Sequence, residues 1–216
     1  MIPLLHDFDG ACVLVFGGGP VGARKARRFA HEADVTVLAP DFADVDFGEA
    51  TCERAEPDPD AVDAWLEEYS PALVVAATDD AAVNAAVETA GSERGILVNR
   101  ADRAENRDPG SVVLPAITRA DPVVVAVSTQ GAAPAVSAAL RDEIDSFLEN
   151  AGTLAAVLAT LRRSLADADV PAARRRDVLR TLARSTRFRE PLDDACSVTD
   201  AGDGIQSRPA TSDRSS

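Results

Sequence analysis

The chain has 216 residues, 46% hydrophobic and 4% aromatic, enough for one large domain or two small ones around an aliphatic, alanine-rich core. Its 36 acidic residues outnumber 22 basic ones for a net charge of −14, which argues against general binding of nucleic acid or of an anionic membrane surface. No apolar run approaches the roughly 20 residues of a membrane span, and the start, Met1 to Asp9, lacks the basic stretch of a signal peptide.

Residues 12–16 read as a buried strand that runs into a glycine cluster and then a helix over about 20–32. Gly17, Gly19 and Gly22 fall on the G-x-G-x-x-G spacing. The first allows a tight turn, the second lets backbone approach a pyrophosphate, and the third lets helix pack on strand. The amides opening that helix would face phosphates, where the helix dipole favours negative charge.

Val35 to Leu38 reads as the second strand, followed by a loop with Pro57 and Pro59 and a helix over 60–69. Leu73 to Ala77 is a third strand, 81–91 a helix, and Ile96 to Asn99 a fourth strand. Short continuous apolar strands alternating with helices mean a parallel sheet covered on both faces, so the expected fold is α/β, Rossmann-like and doubly wound. After 108 the pattern changes: 111–117 and 122–128 are strand-like runs with no helix between them, the spacing of a β-hairpin. Helices follow over 135–148, 152–165 and 171–184, and the composition from 191 onward reads as a disordered tail. The expected division is 1–110 for the dinucleotide domain, 111–148 for hairpin and helix, 149–190 for a helical domain and 191–216 for the tail.

Cys12, Cys52 and Cys196 are odd in number without C-x-x-C spacing, and neither His6 nor His31 has a Cys or His at ligand spacing, so no structural metal is expected. Lys25 is the only lysine. Acidic, lysine-poor and low in aromatics suits a halophilic protein in a cytoplasm at high salt, where screening cuts the reach of repulsion to about 3 Å at 1 M. An acidic protein from a high-GC gene has the same composition. The expected location is cytoplasmic.

Four stretches in order carry a family resemblance: Gly17 to Ala26, Ala76 to Asp80, Asn99 to Asp102, and Leu114 to Ile117 with Val125 to Gly131. With them the chain resembles the siroheme synthase N-terminal family, which comprises precorrin-2 dehydrogenases that often double as sirohydrochlorin ferrochelatases. No methyltransferase half follows, so the resemblance is to the stand-alone form. It implies oxidation of precorrin-2 to sirohydrochlorin with NAD as cofactor, with insertion of Fe2+ in some members. The family's key acid maps onto Asp102, where a carboxylate serves as proton acceptor; without the resemblance Asp102 reads as a loop acid. Coenzyme contacts map onto Gly19, Pro20 and Val21 in the glycine loop, Pro40 and Asp41 after the second strand, and Thr78 and Asp79 after the third. The ribose acid belongs at the end of the second strand, near Ala39, and the nearest acid is Asp41, whose charge disfavours a 2′-phosphate. Asp79 and Asp80 read equally as helix cap and first-turn acid. The tetrapyrrole side maps onto Asn99, Ser128, Thr129 and Gly131, the last three of which also read as a plain turn and helix start. The loop Ala104 to Gly110 is longer and more polar than the family pattern.

Between Arg162 and Arg189 nine arginines face three aspartates. They suit a polycarboxylate substrate, or else form a solvated helix face. The apolar hairpin and the resemblance both point to a homodimer. Two further readings stay open: a non-enzymatic NAD-sensing regulatory module, which needs the glycine loop but not Asp102, and a chelatase without dehydrogenase activity.

Overall fold

The computed structural model describes residues 3–103, 111–148 and 150–185. The polar loop 104–110 and the expected disordered tail lie outside the described residues.

A glycine-ended apolar strand opens the fold. β1 (Cys12–Phe16) leads into α1 (Pro20–Phe29), followed by β2 (Asp34–Ala39) and β3 (Thr51–Arg54). A single 3-10 turn then leads into α2 (Val62–Tyr69), β4 (Leu73–Ala76), α3 (Ala81–Glu93) and β5 (Leu97–Arg100). The five strands form one sheet in the order β3-β2-β1-β4-β5, and every pair is parallel. The doubly wound parallel sheet expected from the alternating pattern is the observed architecture.

Aliphatic side chains on alternate faces of the central strands explain why this sheet sits between helices. Val13, Val15, Val37 and Val75 belong to one buried cluster with Ala23, Ala26 and Phe29 of α1. Leu14, Phe16, Leu38 and Val74 belong to a second cluster with Val62 and Leu66 of α2 and Val83 and Val87 of α3. Such two-sided burial turns strand sequences into unbroken apolar runs.

One strand is absent from the sequence reading. β3 has the sequence Thr-Cys-Glu-Arg, with none of its residues fully buried, and pairs only with β2 at the sheet's edge. An edge strand needs no apolar face on its solvent side, so hydrophobic periodicity carries no signal for it.

The hairpin is shorter than its apolar run. β6 (Ala116–Ala120) and β7 (Val123–Val127) pair antiparallel, with Ala116 opposite Val127 and Ala120 opposite Val123. Ser111 to Pro115, expected in the hairpin's first run, is tied to β5 and α1 instead. Ser111 bridges Val98 in parallel, the Val112 amide donates to the Val98 carbonyl at 2.7 Å, and Arg28 of α1 donates to the Pro115 carbonyl at 2.7 Å.

The chain divides into two compact units, residues 1–115 with 129–134, and 116–128 with 135–216. Besides the hairpin, the second unit holds most of α4 (Pro134–Leu148), α5 (Ala151–Asp167) and α6 (Ala172–Arg184). α5 enters close to the hairpin turn: a Cβ at Gly152 would stand 2.6 Å from the Ala120 and Asp121 carbonyl oxygens. Thr118 of β6 donates to Asp145 of α4, fixing helix to hairpin.

Candidate active site

The carboxyl ends of parallel strands are where ligands of open α/β sheets bind. The register brings Phe16 beside Leu38 and Ala76, and Ala76 beside Arg100. Hence the glycine loop after β1, Pro40 and Asp41 after β2, Thr78 and Asp79 after β4, and Asp102 after β5 all leave one edge of the sheet.

Steric limits fix the glycine loop. Gly17 has φ +120°, and a Cβ on it would lie 2.4 Å from the Ala77 carbonyl oxygen. At Gly22 a Cβ would meet the Gly17 carbonyl oxygen at 1.9 Å, so the turn of α1 closes directly on the loop. Gly19 differs, because nothing lies within 4 Å of the Cβ it lacks. This open face adjoins the N-terminus of α1, where Pro20 stands at the start, no side chain caps the helix and no acid occupies the first turn. The first-turn amides of Val21 and Gly22 have no intrahelical partner, as at any helix start. The loop is a cradle suited to a phosphate oxygen.

Asp41 is exposed, and its backbone presses on the glycine loop: a Cβ at Gly18 would stand 2.3 Å from the Asp41 carbonyl oxygen. Its carboxylate accepts from the Phe42 amide at 3.0 Å and pairs loosely with Arg54 of β3 at 3.4 Å, with 84% and 77% of the two side chains exposed. An ion pair this exposed contributes only about 0–1 kcal/mol, so Asp41 can exchange it for another partner at little cost. Arg54 escaped the sequence reading because its strand did.

Thr78 is held by a residue the sequence reading passed over. Asn84 of α3, 1% exposed, donates from Nδ2 to the Thr78 carbonyl at 2.9 Å and accepts from the Thr78 amide at 3.1 Å. An asparagine on the buried face of an alanine-rich helix was the available signal. Asp80 caps α3, accepting from the Ala82 amide at 2.7 Å, which is the capping role open to it in the sequence; Asp79 beside it is exposed.

Asp102 has its side chain one-third exposed and both carboxylate oxygens engaged by one guanidinium. Arg100 donates from Nε to Oδ1 at 2.9 Å and from Nη2 to Oδ2 at 2.5 Å, and its Nη1 reaches Glu88 of α3 at 2.9 Å. Only 4% of the Arg100 side chain is exposed. The guanidinium fork pulls the Asp102 carboxyl below the usual carboxylate range, against burial, which pushes it up.

Asn99 is 4% exposed and donates to the Val112 carbonyl at 2.7 Å, tying the 111–115 segment to β5; its Oδ1 has no partner among the described residues. Thr129 accepts the Ala133 amide at 3.1 Å through Oγ1, and Gly131 has φ +91°, so these residues build the turn into α4. Ser128 is exposed. Among the described residues no group of His, Cys, Asp and Glu is arranged to hold a metal ion, and no helix is long and apolar enough to cross a membrane.

A family model described as NAD(P)-binding matches residues 4–116, slightly over half the chain and nearly all of the first unit. The chain belongs to this NAD(P)-binding family. It is also similar to siroheme synthase 2 of Aeromonas hydrophila, at 34% identity over 169 residues covering 74% of this chain and 33% of that protein. The siroheme synthase of Gluconacetobacter diazotrophicus is 38% identical over 152 residues, 68% of this chain and 31% of that protein. The chain thus spans about a third of the length of the curated relatives it matches. Among solved structures, SirC, precorrin-2 dehydrogenase, has the same fold, with a TM-score of 0.69 at 23% identity over 93% of this chain and 98% of that one.

The residues present fit the NAD(P) group that the family binds. The open face of Gly19 and the uncapped start of α1 suit its pyrophosphate, and Asp41 suits a ribose hydroxyl.

Proposed function

We propose that this chain is an NAD-dependent precorrin-2 dehydrogenase. Its supporting observation is that Asp102 leaves the same strand-end edge as the glycine loop, in a chain 34–38% identical to siroheme synthases over about seven-tenths of its length or more. SirC, which shares this fold, is a precorrin-2 dehydrogenase, and the substrate in this reading is taken from it.

Oxidation of precorrin-2 to sirohydrochlorin removes two hydrogens, one as hydride and one as proton. NAD+, when bound, supplies the hydride acceptor. Gly17, Gly19, Pro20, Val21 and Gly22 would hold its phosphates, and Asp41 with Pro40 would hold the ribose; the negative charge of Asp41 favours NAD over NADP. Thr78 and Asp79 flank the coenzyme from the end of β4. Asp102, ionised, takes the proton and passes it to solvent through its exposed third. Asn99, Ser128, Thr129 and Gly131 border the tetrapyrrole. Arg162, Arg163, Arg174, Arg176, Arg180 and Arg184 of α5 and α6 are exposed, and their guanidinium groups suit the carboxylates of a tetrapyrrole. With Fe2+ as substrate, the same carboxylate receives the pyrrole protons that leave as the metal enters.

The test is turnover by the full chain in high salt with precorrin-2 and NAD+. Appearance of NADH together with the sirohydrochlorin spectrum supports the dehydrogenase; folded protein that binds NAD+ and yields neither product points to the sensing module. Adding sirohydrochlorin and Fe2+ alone to the same protein reads metal insertion separately.

A further inference from the structure

A buried arginine beside a reacting carboxylate is an unusual expense. Moving a guanidinium out of water is costly unless its donors are well matched. Arg100 is matched on two sides, by both oxygens of Asp102 and by Glu88, whose side chain is only 13% exposed. Arg103 touches the same Glu88 at 3.4 Å. Among the described residues Arg100, Arg103, Glu88 and Asp102 make up the cluster, and Asp102 is the acid of it that reaches solvent and is gripped by a fork.

We propose that Arg100 is a positioning residue for Asp102, keeping its carboxylate ionised and its plane fixed, and thereby setting the acid limit of turnover. This rests on the reading of Asp102 as the proton acceptor. A bidentate fork allows one carboxylate orientation, whereas a lysine would supply charge without that geometry. With the fork removed, Glu88 and burial both favour the protonated form of Asp102, and the ionised fraction on the acid side falls about tenfold for each unit the pKa rises.

The experiment pairs a carboxyl 13C NMR titration of the full-length chain, with Asp102→Asn to assign the signal, with the pH profile of precorrin-2 oxidation. Asp102 of the native chain should titrate below the ordinary aspartate range. In Arg100→Met it should titrate higher, and the acid limb of kcat/KM should move up with it, while the KM for NAD+ stays put. Because Arg100→Met removes the closer of Glu88's two arginine contacts, the double variant Arg100→Met/Glu88→Gln repeats the measurement without that acid. Arg100→Lys should titrate between the two and recover only part of kcat. An unmoved Asp102 titration and an unmoved acid limb in the folded double variant overturn the proposal. Full turnover by Asp102→Asn instead overturns the reading of Asp102 as acceptor, and the NMR shift then still reports whether Arg100 holds that carboxylate.

Discussion

The two units of this chain cover their strands to very different degrees. In the first, all four residues of β4 and four of five in β1 are buried, and helices on both faces supply the cover. In the second, no residue of β7 or α6 is fully buried, and Val136, Leu140, Phe147 and Val157 stand 38–78% exposed. A parallel βαβ sheet closes its own core, because each crossover delivers a helix to a face. A hairpin with amphipathic helices has no such device, and leaves apolar surface for something else to cover. In the proposed reading the first unit accordingly holds the fixed geometry for binding and chemistry, and the second offers surface and charge.

The largest effect should come from the first unit's chemistry. Asp102→Ala should lower precorrin-2 oxidation by about 10²–10⁴-fold, the usual worth of a positioned acid or base, with NAD+ affinity unchanged by calorimetry. Next comes packing. Leu14→Ala should destabilise the chain by about 2–5 kcal/mol in chemical denaturation. Val125→Ala, on the half-covered β7, should cost about 0.5–1.5 kcal/mol, since little cavity forms where a side chain is only partly enclosed. Equal costs would erase the contrast between the units.

Two glycines separate folding from binding within one loop. Gly22→Ala drives a methyl into the Gly17 carbonyl and should lower both the melting temperature and NAD+ binding. Gly19→Ala meets open space at φ −80°, so it should melt like the native chain and still lose about tenfold in NAD+ affinity, roughly 1.4 kcal/mol. Smaller again is the effect of charge on the second unit. Replacing Arg174 and Arg176 by Gln should raise the KM for precorrin-2 a few-fold and leave that for NAD+ alone. Arg175 is excluded because it donates to the Val170 carbonyl at 2.7 Å. We also propose that the exposed apolar residues of the second unit meet a second copy of the chain: light scattering in high salt should give a dimer mass, and Phe147→Asp should halve it.

What was legible in the sequence followed burial. The central strands are short aliphatic runs, so their existence and parallel pairing could be read from residue type. The glycine spacing was equally legible, because only glycine tolerates the approach of Gly22 to Gly17. The polar edge strand β3 escaped, and with it the proximity of Arg54 to Asp41. The segment 111–115 read as hairpin because apolar residues look alike whether they line a sheet edge or a hairpin; the Asn99 to Val112 hydrogen bond that decides the matter is a tertiary contact. Asp102 was found through family resemblance, but nothing local showed that Arg100, two positions earlier, would turn inward and grip it. Alternation along a strand places both side chains on one face, and only the depth of α3 over that face made the pairing a buried one.

The most direct measurement is a single turnover with enzyme in excess over precorrin-2, following NADH in the native chain and in Asp102→Asn with NAD+ bound to both. The native chain should form one NADH per sirohydrochlorin and the variant should form almost none on the same timescale. Equal NADH formation by the two, or none by a folded native chain that binds NAD+, would contradict the assignment of precorrin-2 oxidation to this site.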